Sequence, residues 1–457
     1  MRCFTLCAFL SLACALPSTC ARAADDPVAM VIDLITKDDA EFRAIGLDRV
    51  RHAAKGEAAT SQVAALLSKL PPARQVELTR ALADRGDKAA IPAITALLLA
   101  SQDPTVRSTA VHSLGVLGSG TEVAVLKRSL TAADPEKAAA RRALTILRGD
   151  DAVKQLIEAA EFGEPGLRPV FIEILADRRA RSALPVMVKA AGDADPAVQV
   201  AAMRALGKLG GPDQVAGMVA ALLKAPPGGA RDEAERAVVA VCTTNAGKEK
   251  AAGLFLETFQ AGNDADRDAL LPALGRIGGP AALAIVDGLI KDSDATKRQF
   301  GLKALTRWPD ATVAPQLLDL LGKATNPAER DMLLGALIRI APLPDNKLND
   351  AQKLALLQKT MSLCEKDEDR ARVLQRANAI RTVQTFRFVL PYLDNPTLAE
   401  PACLSIVELA HHQKLRDGNK NEFIKALDKV IATTKNTELI DRANRYKEGK
   451  TWERKKG

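Results

Sequence analysis

The stretch DPTVRSTAVHSLGVLGSG, residues 103–120, returns in altered form along the chain, and that recurrence constrains the fold more than any other feature. Aligning Asp103-Pro104-Thr105-Val106-Arg107 with Asp195-Pro196-Ala197-Val198-Gln199 brings small or apolar residues into register. The matching pairs are Val106/Val198, Ala110/Ala202, Leu114/Leu206 and Leu117/Leu209. An i, i+4, i+8, i+11 stripe of this kind is one face of an amphipathic helix. Both helices end in LGxLG, at 114–118 and 206–210, and Leu274-Gly275-Arg276-Ile277-Gly278 is a third copy. A second pair, DAEFRAIGLDRV from residue 39 and DATKRQFGLKAL from residue 294, matches over another part of the unit. The anchoring Asp thus falls at 39, 103, 195 and 294. Those intervals are whole multiples of about 31–33 residues, the period of a helical repeat array.

Each unit reads as two helices. Asp before the first helix accepts from its free N–H groups, and Pro just inside the start has no N–H to orphan. The closing Gly is expected to allow a left-handed turn into a second apolar segment such as Val123–Leu130 or Val215–Leu223. A single pair cannot bury its apolar face, so neighbours stack and share a core. The expected fold is all-α, an alpha-alpha superhelix (α-solenoid) of about twelve helical hairpins between residues 37 and 435. Units near 226–262, 325–365 and 395–435 carry longer links between their helices.

The pattern DP-x-V-R-x-x-A-x-x-x-LG-x-LG, followed by a second amphipathic helix, resembles the HEAT-like repeats of the phycobilisome-lyase type, and so an armadillo-like helical array. The resemblance is clearest at 101–132, 193–225 and 263–324 and extends over most of 37–400. It implies a ladder of Asp and Arg between units, with Asp39/Arg43, Asp103/Arg107 and Asp294/Arg298 as candidates, and Gln199 breaks the pattern in the Asp195 unit. The tetratricopeptide signature W-x-x-LG-x-x-Y is absent. By analogy alone, the family also admits a bilin-lyase or glycosylase enzyme.

The N-terminus reads separately. Arg2, an apolar run from Cys3 to Leu16 and Ala21-Arg22-Ala23 describe a cleaved secretory signal over residues 1–23. Export to the periplasm or beyond is therefore expected. The apolar run is too short for a spanning helix, which needs about 20 residues. Four of seven Cys lie in that segment. The remaining Cys242, Cys364 and Cys403 are too few and too scattered for a disulfide framework.

The formal charge of +8 is an end effect. Residues 413–457 hold thirteen Lys and Arg against seven Asp and Glu, while residues 24–412 are balanced. A nucleic-acid-binding array would carry a basic stripe along its length, and aromatic residues, at 3%, are too few to stack on bases. No nucleic-acid partner is expected.

The chemical suspects each have a structural explanation. Asp292-Ser293-Asp294-Ala295-Thr296 matches the D-x-D-x-T of aspartyl-phosphate phosphatases, but a helical segment precedes it where that chemistry needs a strand. Asp193/Asp195 and Asp264/Asp266 read as helix caps, because no calcium-loop spacing follows them. His411-His412 are adjacent and diverge on a helix, and His112 lies off the apolar stripe. Neither a metal nor a cofactor is expected, and no catalytic constellation emerges.

Lys69, Lys189, Lys224, Lys291 and Lys323 recur at the last turn of second helices. There they complement the helix dipole, and they could instead form a basic row for an acidic partner. Residues 436–457 are expected to form a C-terminal basic cap after the solenoid of residues 24–435. In that cap Tyr446 and Trp452 cover the array's end, and Lys447, Lys450, Arg454, Lys455 and Lys456 are candidates for peripheral contact with an anionic surface. The function expected is a non-catalytic, exported repeat scaffold that binds another protein, alone or as the scaffold subunit of an envelope complex.

Overall fold

The structure, a computed structural model, describes residues 27–53, 56–344 and 347–452. The expected signal segment, residues 1–23, lies outside them. Among the described residues every regular element is a helix, and the chain divides into two compact units, up to Val186 and from Met187 onward.

The first helices of successive hairpins are Ala40–His52, Pro72–Arg85, Pro104–Leu117, Glu136–Ile146 and Arg168–Asp177, and then, in the second unit, Pro196–Leu209, Gly229–Thr243, Asp264–Ile277, Ala295–Leu305, Pro327–Ile340, Asp367–Ala377 and Ala399–His411. Each is followed by a second helix, which makes twelve hairpins among the described residues. Helix Pro27–Thr36 precedes them and helix Thr437–Lys447 follows. The chain is an all-α, HEAT-like solenoid.

The apolar stripe is the core. Val106, Ala110, Leu114 and Leu117 are buried, as are Val198, Ala202, Leu206 and Leu209, while His112 is exposed. Burying such a side chain contributes roughly 1.5–3 kcal/mol. The anchoring Asp residues cap their own helices. Asp39 accepts from Glu41 N at 2.8 Å, Asp103 from Thr105 N at 2.8 Å, Asp195 from Ala197 N at 2.8 Å and Asp294 from Thr296 N at 2.7 Å.

The glycines of LGxLG do two jobs. At the first, the next first helix comes too close for a side chain. A Cβ on Gly115 would stand 2.5 Å from Ala143 Cα, and one on Gly275 would stand 2.2 Å from the Ala304 carbonyl oxygen. The second glycine corrects the expectation of a left-handed turn. Gly118 and Gly210 have φ of −78° and −63°, and only Gly278 of the three is positive, at +71°. At Gly118 and Gly210 the requirement is space, because a Cβ would meet the carbonyl oxygens of Leu114 and Leu206 at 2.5 and 2.6 Å. Gly46 and Gly301, shared by the other aligned pair, admit the backbone of the preceding helix. A Cβ there would lie 3.0 Å from Ile35 N and 2.9 Å from Ile290 N.

The Asp–Arg ladder does not form as the resemblance implied. The capping carboxylates are committed to helix N-termini, and the basic residue four positions on reaches back to free carbonyls at the end of the preceding helix. Arg43 donates to the Lys37 and Asp38 carbonyls, and Arg107 to Leu98 and Ser101. Arg267 donates to Gln260, Arg330 to Leu321 and Arg370 to Cys364. Gln199, which looked like a break in the pattern, performs the same task by donating to the Asp193 carbonyl at 2.5 Å. Arg298 keeps the sequence position and makes none of these bonds, since its side chain is exposed. A second seam runs between consecutive first helices, where Arg85 bonds Val50 and Ala53, Arg178 bonds Leu144 and Thr145, and Arg339 bonds Thr306 and Trp308. Such charge-assisted bonds satisfy helix ends that would otherwise leave four carbonyls orphaned.

Candidate functional site

Side chains on the second helices leave gaps that none of the described residues fills. In the first unit, Ala93, Ala96 and Ala100 lie on one side of helix Ile91–Ala100, facing Ala64, Ala65 and Ser68 of the preceding second helix. Side chains this small cannot close the space between the two helices. A groove of about 720 Å³ results, floored by Leu67 and Leu97 and closed at its end by Pro72, Gln75 and Asp103. Leu99 stands 59% exposed on the same helix.

The second unit holds a groove of about 740 Å³ built the same way, between second helices Lys248–Ala261 and Pro280–Ile290. Ala284 and Gly288, one turn apart, supply the small residues. A Cβ added at Gly288 would meet nothing within 4 Å. Phe259, Leu271, Ile285, Leu289 and Phe300 form an apolar lining. Around it stand four carboxylates, Asp264, Asp268, Asp292 and Asp294, and two cations, Arg267 and Lys297. Asp264 pairs with Arg267 at 3.4 Å and Asp292 with Lys297 at 3.9 Å, and the carboxylates outnumber the cations four to two. Backbone N–H groups of Thr296 and Lys297 hold the Asp294 carboxyl below the usual aspartate range, so it stays ionised.

The lysines singled out from sequence fall elsewhere. Lys69, Lys189, Lys224, Lys291 and Lys323 are exposed at the ends of second helices, and none lines either groove. Lys323 is paired with Asp319 at 2.7 Å. At the C-terminal end Lys447 is paired with Asp428, and Lys450 with Glu448 at 2.6 Å. Arg454, Lys455 and Lys456 lie outside the described residues. The capping helix there buries Tyr446, whose hydroxyl is 2.9 Å from His411 Nδ1, and Trp452 lies under Arg442, 4.9 Å from ring centroid to guanidinium.

The groups that could suggest catalysis have other surroundings in the structure. The D-x-D-x-T carboxylates are spent at a helix start, where Asp292 accepts from Asp294 N at 2.8 Å. Burial pushes the thiols of Cys242, Cys364 and Cys403 up to about 12, 11 and 11, so they remain protonated and poorly nucleophilic. Desolvation first, then Arg381 and His411, lower the His412 pKa, which keeps that imidazole neutral. Among the described residues no His, Cys, Asp and Glu cluster has the makings of a metal site, and no helix is long and apolar enough to cross a membrane.

The groove residues escaped sequence reasoning because Asp264, Asp292 and Asp294 were each accounted for as caps. Gly288, a glycine inside an otherwise apolar helical run, was the available signal.

Paired antiparallel helices, stacked through glycine contacts and back-bonded by arginine, define an α-solenoid. Residues 61–145 and 153–239 match the family of HEAT repeats, and the fold is that of a HEAT-like solenoid. The cap and glycine geometry continues beyond those stretches, through Asp294 and Gly301. No curated protein matches the sequence. Among solved structures, the karyopherin Kap121p bound to the SUMO protease Ulp1p is 12% identical, with a TM-score of 0.47 over 92% of this chain and 52% of that one. Human deoxyhypusine hydroxylase in complex with glycerol is 18% identical, with a TM-score of 0.23 over 62% of this chain and 95% of the other. The phycocyanin lyase complex of CpcE and CpcF from Nostoc sp. PCC7120 is 17% identical, with a TM-score of 0.23 over 68% and 92%. The chain spans about half the length of the karyopherins it matches.

Proposed function

We propose that this protein is an exported, non-catalytic scaffold that binds another protein through the face built by its second helices. The observation that carries the reading is the pair of open, apolar-floored grooves of about 720 and 740 Å³ between consecutive second helices, one in each unit. Large exposed apolar surfaces rimmed by polar groups mark interaction sites, and repeat arrays present extended surfaces of this type. The positive, apolar and small-residue succession of residues 1–23 supports export.

The test is mild cross-linking in the native host's envelope, followed by capture of the mature chain and mass spectrometry, with and without residues 436–457. One stoichiometric protein partner is the expected result, and its loss on truncation would put the contact at the basic end. Turnover of a small molecule by the purified chain, with no partner captured, would overturn the reading.

A further inference from the structure

We infer that the groove of the second unit takes a peptide segment of the partner in which apolar anchors are flanked by Lys or Arg. This inference rests on the scaffold reading and names the chemistry of one of its contacts. The two grooves have nearly equal volumes but different rims. In the first unit, Asp103 is the one charged residue that lines it. In the second unit, four carboxylates face two cations.

Charge and shape select the same class of occupant. Asp268 is exposed, and Asp294, exposed as well, accepts its backbone bonds through Oδ1. Phosphate-bearing ligands are repelled by such a rim. Phe259 and Leu271 are buried beneath the opening, and Ile285, Leu289 and Phe300 are half-buried along it, so an apolar side chain entering here leaves water on several sides at once. The volume is in the ~300–1,000 Å³ range that encloses a ligand of a few side chains. Complementary charge at the rim governs encounter and specificity, while the apolar floor holds the segment.

Gly288 provides a test that separates binding from folding. Its Cβ position is open, and leucine is a better helix former than glycine, so Gly288→Leu fills the groove without weakening the helix. Gly288→Ala keeps the groove largely open. A random dodecapeptide library is selected on the immobilised mature chain, and winners are measured by fluorescence anisotropy against wild type, Gly288→Ala, Gly288→Leu and Asp268→Lys. The expected winners carry two or more Lys or Arg around Leu, Ile or Phe. They should bind wild type and Gly288→Ala alike and bind Gly288→Leu at least tenfold more weakly. Asp268→Lys should weaken them about two- to fivefold, an effect that fades in high salt. Winners that bind Gly288→Leu undiminished, or that are acidic, would overturn the groove assignment and leave the scaffold reading standing. Failure of the library to enrich any peptide would overturn it too. Failure of envelope capture, by contrast, falls on the scaffold reading itself.

Discussion

Arg107 is the joint at which three helices of the first unit are tied, and its loss should be felt well beyond one contact. Its guanidinium makes a bidentate pair with Glu136, Nε to Oε2 at 2.6 Å and Nη2 to Oε1 at 2.8 Å, and it also donates to the Leu98 and Ser101 carbonyls. Glu136 is 5% exposed, and its other donor is Ser129 Oγ at 2.7 Å. Arg107→Met therefore strands a buried carboxylate with one hydroxyl for company, and stranding a buried charge costs about 3–5 kcal/mol. Burial works to raise the Glu136 pKa, yet the bonds from Arg107 and Ser129 hold it below the ordinary glutamate value. A depressed folded pKa contributes stability above the unfolded pKa of about 4.3 and loses it as pH falls. Without Arg107 only the raising influence of burial and the weaker Ser129 bond remain, and protonating Glu136 becomes favourable in the folded state. The deficit of Arg107→Met should then be largest near pH 7 and should narrow steadily toward pH 4. Removing both partners, as Arg107→Met with Glu136→Leu, should recover most of the loss, because paired apolar replacement is often neutral. Repeat arrays need not unfold in one step. Urea unfolding followed by circular dichroism is therefore combined with hydrogen exchange over residues 98–146, which reports this segment locally. A deficit below about 1 kcal/mol, or one that does not change between pH 7 and pH 4, would refute the reasoning.

Other outcomes follow from single residues. Gly115→Ala should lower stability by about 1–3 kcal/mol despite its better helix propensity, because its Cβ would lie 2.5 Å from Ala143 Cα. Gly288→Ala should raise it by up to about 1 kcal/mol, and thermal melts of the two variants check the opposite signs. Gln199 leaves its buried Oε1 without a hydrogen-bond partner, so Gln199→Arg, which restores the recurring guanidinium, should stabilise by about 0.5–1.5 kcal/mol in urea titration. With thiol pKa values of about 12, 11 and 11, Cys242, Cys364 and Cys403 should resist iodoacetamide at pH 8 in the folded chain and react in urea, as read by intact mass. Tyr446→Ala should remove about 3–5 kcal/mol from the C-terminal end of the second unit, visible as faster exchange in helix Ala399–His411.

The helical architecture was legible because its rules are local. Caps at Asp39, Asp103, Asp195 and Asp294 and the stripe through Val106 and Leu114 depend only on residues within a few turns, and the period multiplies them into a solenoid. What remained hidden depends on the neighbouring repeat. The role of Gly115 and Gly275, to admit Ala143 and Ala304, is set by the next first helix. Arg107 and Gln199 read as member and exception of one ladder, although both donate to the preceding helix end. Arg298 shares their position and takes no part. The grooves were less legible still, since a gap is defined by small residues on two helices at once, such as Gly288 facing Phe259. The period alone does not say which inter-helix spaces are filled.

The account stands most directly on which face of the array meets a partner. A photo-cross-linking amino acid placed at Ala284, in the groove of the second-helix face, is compared in the native envelope with one at Lys303, exposed on first helix Ala295–Leu305. The account predicts a discrete protein adduct from position 284 that Gly288→Leu abolishes, and none from position 303. An adduct from position 303 alone, or from neither position, would contradict it.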